Sequence, residues 1–137
     1  RELLIEVRAG RIGEVREGAA PRALARLYEL GIRPEWWSLA PQPGASGWES
    51  CAQAIAAKDP YCRGVLVALD EAGTAAAALE AAAGFPIVRG FIAGGSIFVD
   101  AGPEPAVREI AEHLRALLGA WISARDPRLD RPERSGH

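Results

Sequence analysis

Ser38 stands in an apolar run, Trp36-Trp37-Ser38-Leu39, that Pro34 and Pro41 close off on either side. Such a run reads as a short buried strand opening into a loop, and strand ends are where α/β proteins place their chemistry. A hydroxyl there is a candidate catalyst, but it needs an activating base. The histidines do not offer one: His113 falls on the polar side of a predicted helix and His137 is the last residue. A histidine triad or a metal centre is therefore not expected, and nothing calls for a cofactor. Asp70 ends another apolar run, where it suits the cap of the following helix. Lys58 is the only lysine and precedes Asp59-Pro60, so it reads as a solvated charge at a helix C-terminus. Cys51 and Cys62 are too few for a disulfide framework or a zinc site and read as buried free thiols of a reducing compartment.

Four units of strand then helix position these groups. Leu3–Val7 is a β-rich run, and Pro21 suits the first turn of a helix with Leu24, Leu27 and Tyr28 on one face, ending at Gly31. Trp36–Leu39 is the second strand. Ser46 and Glu49 have the spacing of a capping box, so the next helix is expected to start at Ser46 and to run through Cys51, Ala52 and Ile55. Gly64–Leu69 is almost continuously apolar, as in a parallel strand covered on both faces. An alanine-rich helix follows up to Gly84, with Leu79 its one large apolar residue, and Ile87–Ala93 is the fourth strand. Pro103, Glu104 and Pro105 open a last helix in which Val107, Ile110, Ala111, Leu114, Leu117, Leu118, Trp121 and Ile122 recur at helical spacing. From Asp126 to His137 the chain has almost nothing to bury and reads as a mobile polar tail. Trp36, Trp37, Trp48 and Trp121 read as packing residues between helix and sheet rather than as a substrate platform.

The 137 residues are 49% apolar and 25% charged, the composition of one globular domain. A net charge of −2 gives no pull toward nucleic acid or an anionic membrane surface. No apolar run approaches the ~20 residues of a membrane span, and no signal-peptide pattern opens the chain, so a cytoplasmic location is expected. The first residue is Arg1 rather than Met, which leaves room for residues ahead of it in the natural protein. Strands alternating with helices imply a parallel sheet with right-handed crossovers. Four such units fit a small open sheet or half of an eight-stranded barrel, since a whole barrel takes ~250 residues.

Three segments carry a resemblance: Gly31-Ile32-Arg33-Pro34-Glu35-Trp36-Trp37-Ser38-Leu39-Ala40-Pro41-Gln42, Asp59-Pro60-Tyr61-Cys62-Arg63-Gly64-Val65, and Pro86 through Phe98. In order and spacing the chain resembles, over about residues 1 to 125, the C-terminal half of a bacterial aldolase domain family of myo-inositol catabolism. That family acts on 2-deoxy-5-keto-gluconate 6-phosphate and is often fused behind a ribokinase-type sugar kinase. The resemblance implies an α/β fold of four βα units over residues 1–125, forming the C-terminal half of a (β/α)8 TIM-type barrel. It implies a carbon–carbon lyase activity of the Schiff-base type in carbohydrate metabolism.

The departures bear on that activity. Where the family usually has Lys-Leu-Glu-Pro-Gln after the tryptophan pair, this chain has Ser38-Leu39-Ala40-Pro41-Gln42. Ser38 thus occupies the position of the Schiff-base lysine, and serine cannot form the imine that serves as electron sink. Where the family tends to have Gly-Arg-Thr-Ile-Phe, the chain has Gly94-Gly95-Ser96-Ile97-Phe98. A late barrel loop of this kind binds phosphate through backbone N–H groups, with Gly94 and Gly95 allowing close approach and Ser96 adding a donor; the plain alternative is a tight turn without ligand. Arg63 and Arg89 flank strands, either facing the phosphate or acid group of a substrate or pairing with carboxylates at the rim. Three readings follow: a phosphosugar aldolase, a catalytically degenerate relative that binds a sugar phosphate, or a structural module. In the last, half a barrel leaves unpaired edge strands and an apolar face, which a second copy or a partner half-barrel would close.

Overall fold

The computed structural model describes residues 2–8, 18–70, 72–94 and 106–125. The elements run β1 (Leu4–Val7), α1 (Ala19–Glu29), β2 (Trp36–Leu39), α2 (Ala45–Lys58), β3 (Gly64–Leu69), α3 (Ala72–Ala83), β4 (Val88–Ala93) and α4 (Ala106–Arg125). The strands form one parallel sheet in the order β1-β2-β3-β4. A parallel sheet ordered as its sequence, with crossovers of a single hand, must carry all its helices on the same face.

The core has that arrangement. Trp37, Leu39, Val65, Val67, Leu69 and Val88, at alternate strand positions, cluster with Leu24 and Tyr28 of α1, Trp48, Cys51 and Ile55 of α2, Leu79 of α3 and Leu117 of α4. The intervening positions lie on the opposite face, because side chains alternate along a strand. There the register aligns Glu6, Ser38, Leu66 and Gly90 in one row and Ala68 with Ile92 in the next. Leu4 and Ile92 on this face are 42% and 38% exposed. The alanines of α3 let it approach the sheet closely: Ala75, Leu79 and Ala82 are all buried.

Local chemistry explains the element ends. Gly31, at φ 82°, ends α1 in a Schellman arrangement: Gly31 N–H bonds Tyr28 O at 2.9 Å and Ile32 N–H bonds Leu27 O at 3.0 Å. Near the start of β4 the register slips, so that Val65 aligns with Val88 but Leu66 with Gly90, leaving Arg89 as the bulged residue. Gly64 faces that bulge with φ 154°, and a Cβ there would lie 2.9 Å from the Ile87 carbonyl oxygen. No other residue fits that close approach without moving the backbone.

Two expectations need correction. Ser46 is not the N-cap of α2 but lies inside its first turn. The helix starts at Ala45 behind an extended Gly44, with no side-chain cap. The first turn closes when Gly47 N–H bonds Gly44 O at 3.1 Å, two residues earlier than a Ser46 cap allows. The apolar stripe of α4 is also not a single buried face. Leu117 is buried and Trp121 packs partly against the core, whereas Leu114, Leu118 and Ile122 are 41%, 51% and 48% exposed. Those three follow one another at four-residue spacing and so share a strip of helix surface.

α4 is tied down at its C-terminus. The Arg125 guanidinium donates to the carbonyls of Ala83, Phe85, Pro86 and Val88 in the turn between α3 and β4, and it sits 5.2 Å from the Trp121 ring centroid. In the core, Trp37 Nε1–H donates to the Tyr28 hydroxyl at 2.8 Å, and the two rings meet edge to face at 5.5 Å and 78°. Burial pushes the Tyr28 phenol up to about 12. The expected segment Pro103–Pro105 and the tail from Asp126 lie outside the described residues.

Candidate functional site

In a one-sided parallel sheet, the C-terminal strand ends and the loops behind them form the natural site. Here that end carries Arg8 after β1, the Ala40–Gly44 loop after β2, Asp70 after β3 and Gly94 after β4. Arg8 is occupied locally, its Nε 3.1 Å from Glu6 Oε1.

Ser38 is the third residue of β2 and is 1% exposed, flanked in the sheet by Glu6 and Leu66. Its Oγ is fully buried and has no hydrogen-bond partner among the described residues. Among the described residues no base is hydrogen-bonded to it, and the neighbouring Glu6 carboxylate pairs with Arg8 instead. Lys58 lies at the far end of α2, a 14-residue helix of roughly 21 Å, and Arg33 Nε donates to its carbonyl at 3.4 Å ahead of β2. The strand order and helix direction therefore place Lys58 with the N-terminal strand ends, away from Ser38.

Arg63 and Arg89 also lie at the N-terminal ends of their strands. Arg63 forms an ion pair with Glu2, and its backbone N–H donates to Glu35 O at 2.7 Å. Glu35 in turn accepts Leu3 N–H at 2.7 Å, a bond that holds its carboxyl below the ordinary range. Arg89 sits on the bulge beside Gly64. The two arginines are thus near each other but are not brought together with Ser38, Asp70 and Gly94. Arg63 has its guanidinium on a carboxylate at the N-terminal end of β3.

Gly94 N–H bonds the Leu69 carbonyl at 2.9 Å, and a Cβ at Gly94 would lie 2.8 Å from Asp70 Oδ1. The first residue of the expected phosphate loop therefore abuts a carboxylate, a poor neighbour for a second anion. Gly95 and Ser96 lie outside the described residues. Trp37 and Trp48 are buried, as packing residues should be, while Trp36 is half-buried with its Nε1–H 3.4 Å from Glu2. Cys51 is buried and its thiol is pushed up to about 12 by desolvation, which removes its nucleophilicity at neutral pH. Cys62 is only half-buried, 3.5 Å from the Glu35 carbonyl oxygen, and burial raises its thiol as well.

Sequence reasoning overlooked one residue at this end. Gln42, held between Pro41 and Pro43, is 8% exposed; its Nε2 donates to Ala40 O at 2.9 Å, and its Oε1 is buried with no hydrogen-bond partner among the described residues. A polar residue locked between two prolines in a strand-to-helix loop is the signal that was available in the sequence. Among the described residues no group of three or more His, Cys, Asp and Glu side chains could hold a metal ion, and no helix is long and apolar enough to cross a membrane.

Residues 1–121 match the family described as "Uncharacterized protein conserved in bacteria (DUF2090)". The chain belongs to this bacterial family. Comparison with curated proteins and with solved structures gives no match.

Proposed function

We propose that this DUF2090 member is a catalytically degenerate relative of the 2-deoxy-5-keto-gluconate 6-phosphate aldolases, built as the C-terminal half of a (β/α)8 barrel and binding a sugar phosphate without cleaving it. Ser38 carries the reading. It stands where the resemblance puts the Schiff-base lysine, it is sealed from solvent, and the one lysine of the chain is held at the other end of the sheet. A class I aldolase needs an amine that attacks the substrate carbonyl, and no other group on this strand can form that bond. The sequential parallel order with all helices on one face supports the half-barrel form, since closing such a sheet on itself is how barrels arise.

Borohydride treatment with a keto-sugar phosphate tests this directly. The expected result is no covalent adduct by intact-mass analysis, together with a ligand-dependent rise in Tm. A reduced imine on Lys58 would overturn it.

A second reading is favoured by two exposed surfaces: the open sheet face with Leu4 and Ile92, and the α4 strip of Leu114, Leu118 and Ile122. Both, so read, are surfaces that further strands and helices would cover. In this reading the chain is a structural module whose second copy completes an eight-stranded barrel by two-fold symmetry, β4 of each copy meeting β1 of the other. Light scattering is expected to give a dimer; a monomer at all concentrations refutes that pairing.

A further inference from the structure

The two edges of the sheet are unpaired among the described residues, and they are not alike. Trp36 N–H bonds Leu3 O at 3.1 Å. Alternation along a parallel ladder then turns the backbone groups of Glu2, Leu4 and Glu6 to the free edge of β1. On the other side Gly94 N–H bonds Leu69 O at 2.9 Å, so Phe91 and Ala93 present theirs at the free edge of β4. An uncovered edge of this kind is a template for another strand.

Charge separates the edges as well. The β1 edge carries Glu2 and Glu6, both with carboxylates open to solvent, and between them the exposed Leu4. The β4 edge carries Arg89 at the bulge and the exposed Ile92. Arg89 is exposed and has no ion pair among the described residues. Its side chain crosses Gly64, where any Cβ would collide with Arg89 Cγ, and this puts it on the open sheet face with Leu4 and Ile92. One edge is therefore acidic and the other basic, each with one exposed aliphatic side chain on the same face. Pairing β1 with itself about a two-fold axis at Leu4 would set Glu2 against the second copy's Glu6, like charges directly opposed. Pairing β4 with β1 of a second copy brings opposite charges together, and two-fold symmetry repeats the junction and leaves no edge open.

Barrel geometry then fixes the register. An eight-stranded parallel barrel has a shear of roughly eight residues, and two-fold symmetry assigns about four to each copy. Adjacent strands rotate by about −20 to −25°, so with helices outside and right-handed crossovers a row at right angles to the strands descends toward their N-terminal ends from β1 to β4. The row Glu6, Ser38, Leu66, Gly90 accordingly arrives at the second copy's β1 on Glu2 rather than on Glu6.

We infer that both sheet edges are covered by a second copy of this chain, β4 against β1, in one register: Ile92 beside the second copy's Leu4, Gly90 beside its Glu2, and Arg89 paired with that Glu2. Leu4 N–H of the second copy then donates to Phe91 O, and Ala93 N–H donates to the second copy's Leu4 O, which are groups that the edges leave free. Glu2, already on Arg63 of its own chain, becomes shared between two guanidinium groups. This register rests on the dimer reading above and adds which residues meet.

Cross-linking together with light scattering separates the register from the dimer itself. In a Cys62→Ser background, the double variant Leu4→Cys with Ile92→Cys is expected to give a covalent dimer with a short bismaleimide, since neighbouring strands lie about 4.8 Å apart. Within one chain the two positions are three strand spacings, about 14 Å, apart, and each position faces its own copy only across the barrel. Neither single variant should therefore cross-link. Arg89→Glu is expected to raise the dimer Kd about tenfold through two junctions per dimer, and to cost less than about threefold in a Glu2→Gln background, where the opposing acid is gone. A monomer at all concentrations overturns this register and the dimer reading together. A dimer in which one single variant cross-links, the double variant does not, or Arg89→Glu costs the same in both backgrounds overturns the register and leaves the dimer reading standing.

Discussion

Ser38→Ala should make the protein more stable. The side chain is 1% exposed and its hydroxyl has no hydrogen-bond partner among the described residues. Folding therefore strips water from the hydroxyl and returns nothing, a cost of about 1–3 kcal/mol. Alanine removes that cost and leaves a void of only one oxygen atom, so a net gain of about 1–2 kcal/mol remains after a small packing loss. For a chain of 137 residues, intermediate between the sizes with surveyed responses, each kcal/mol moves Tm by about 3–5 °C. The expected rise is roughly 3–10 °C, with the urea midpoint increasing at unchanged m-value. Calorimetry and urea titration read both quantities, and the m-value guards against a change in the unfolded state. A fall in midpoint of 1 kcal/mol or about that size, at constant m-value, would refute the reasoning, because it would mean that the hydroxyl is bonded in the folded protein. The same outcome would weaken the view of Ser38 as a position whose chemistry has been lost.

Arg125 and the alkaline limb of stability give two further tests. Arg125→Ala removes a guanidinium shared among four turn carbonyls and stacked near Trp121, and should cost about 2–3 kcal/mol in urea unfolding. Arg125→Lys should recover little of that, since a single ammonium cannot span the same fork; full recovery would show that charge alone matters. Burial raises the Cys51 thiol from 9.0 and the Tyr28 phenol from 10.0, both to about 12. The unfolded chain then ionises first, so stability is complete below pH 9 and falls as pH rises from 9 toward 12. Stability flat through that window, or thiolate absorbance from the folded protein growing in near pH 9, would contradict it.

The sequence by itself determined the order and kind of the elements. The apolar runs at Trp36–Leu39 and Gly64–Leu69, the glycine stop at Gly31 and the alanine-rich helix before Gly84 act through neighbours in the chain, and all of them appear where periodicity puts them. The start of α2 did not follow the same logic. A capping-box spacing at Ser46 lost to an extended Gly44, because cap choice depends on the path by which the chain leaves β2. Tertiary structure alone decided which apolar residues are inside. Leu114, Leu118 and Ile122 carry the same hydrophobic signal as Leu117, yet only the helix beside them determines which side of α4 is covered. It alone separated Arg63 and Arg89 from Asp70 and Gly94, since a strand a few residues long has two ends about 15–20 Å apart that composition cannot tell apart. And it alone exposed the buried polar atoms of Ser38 and Gln42 that have no partner among the described residues, a property of what surrounds a side chain and not of the side chain itself.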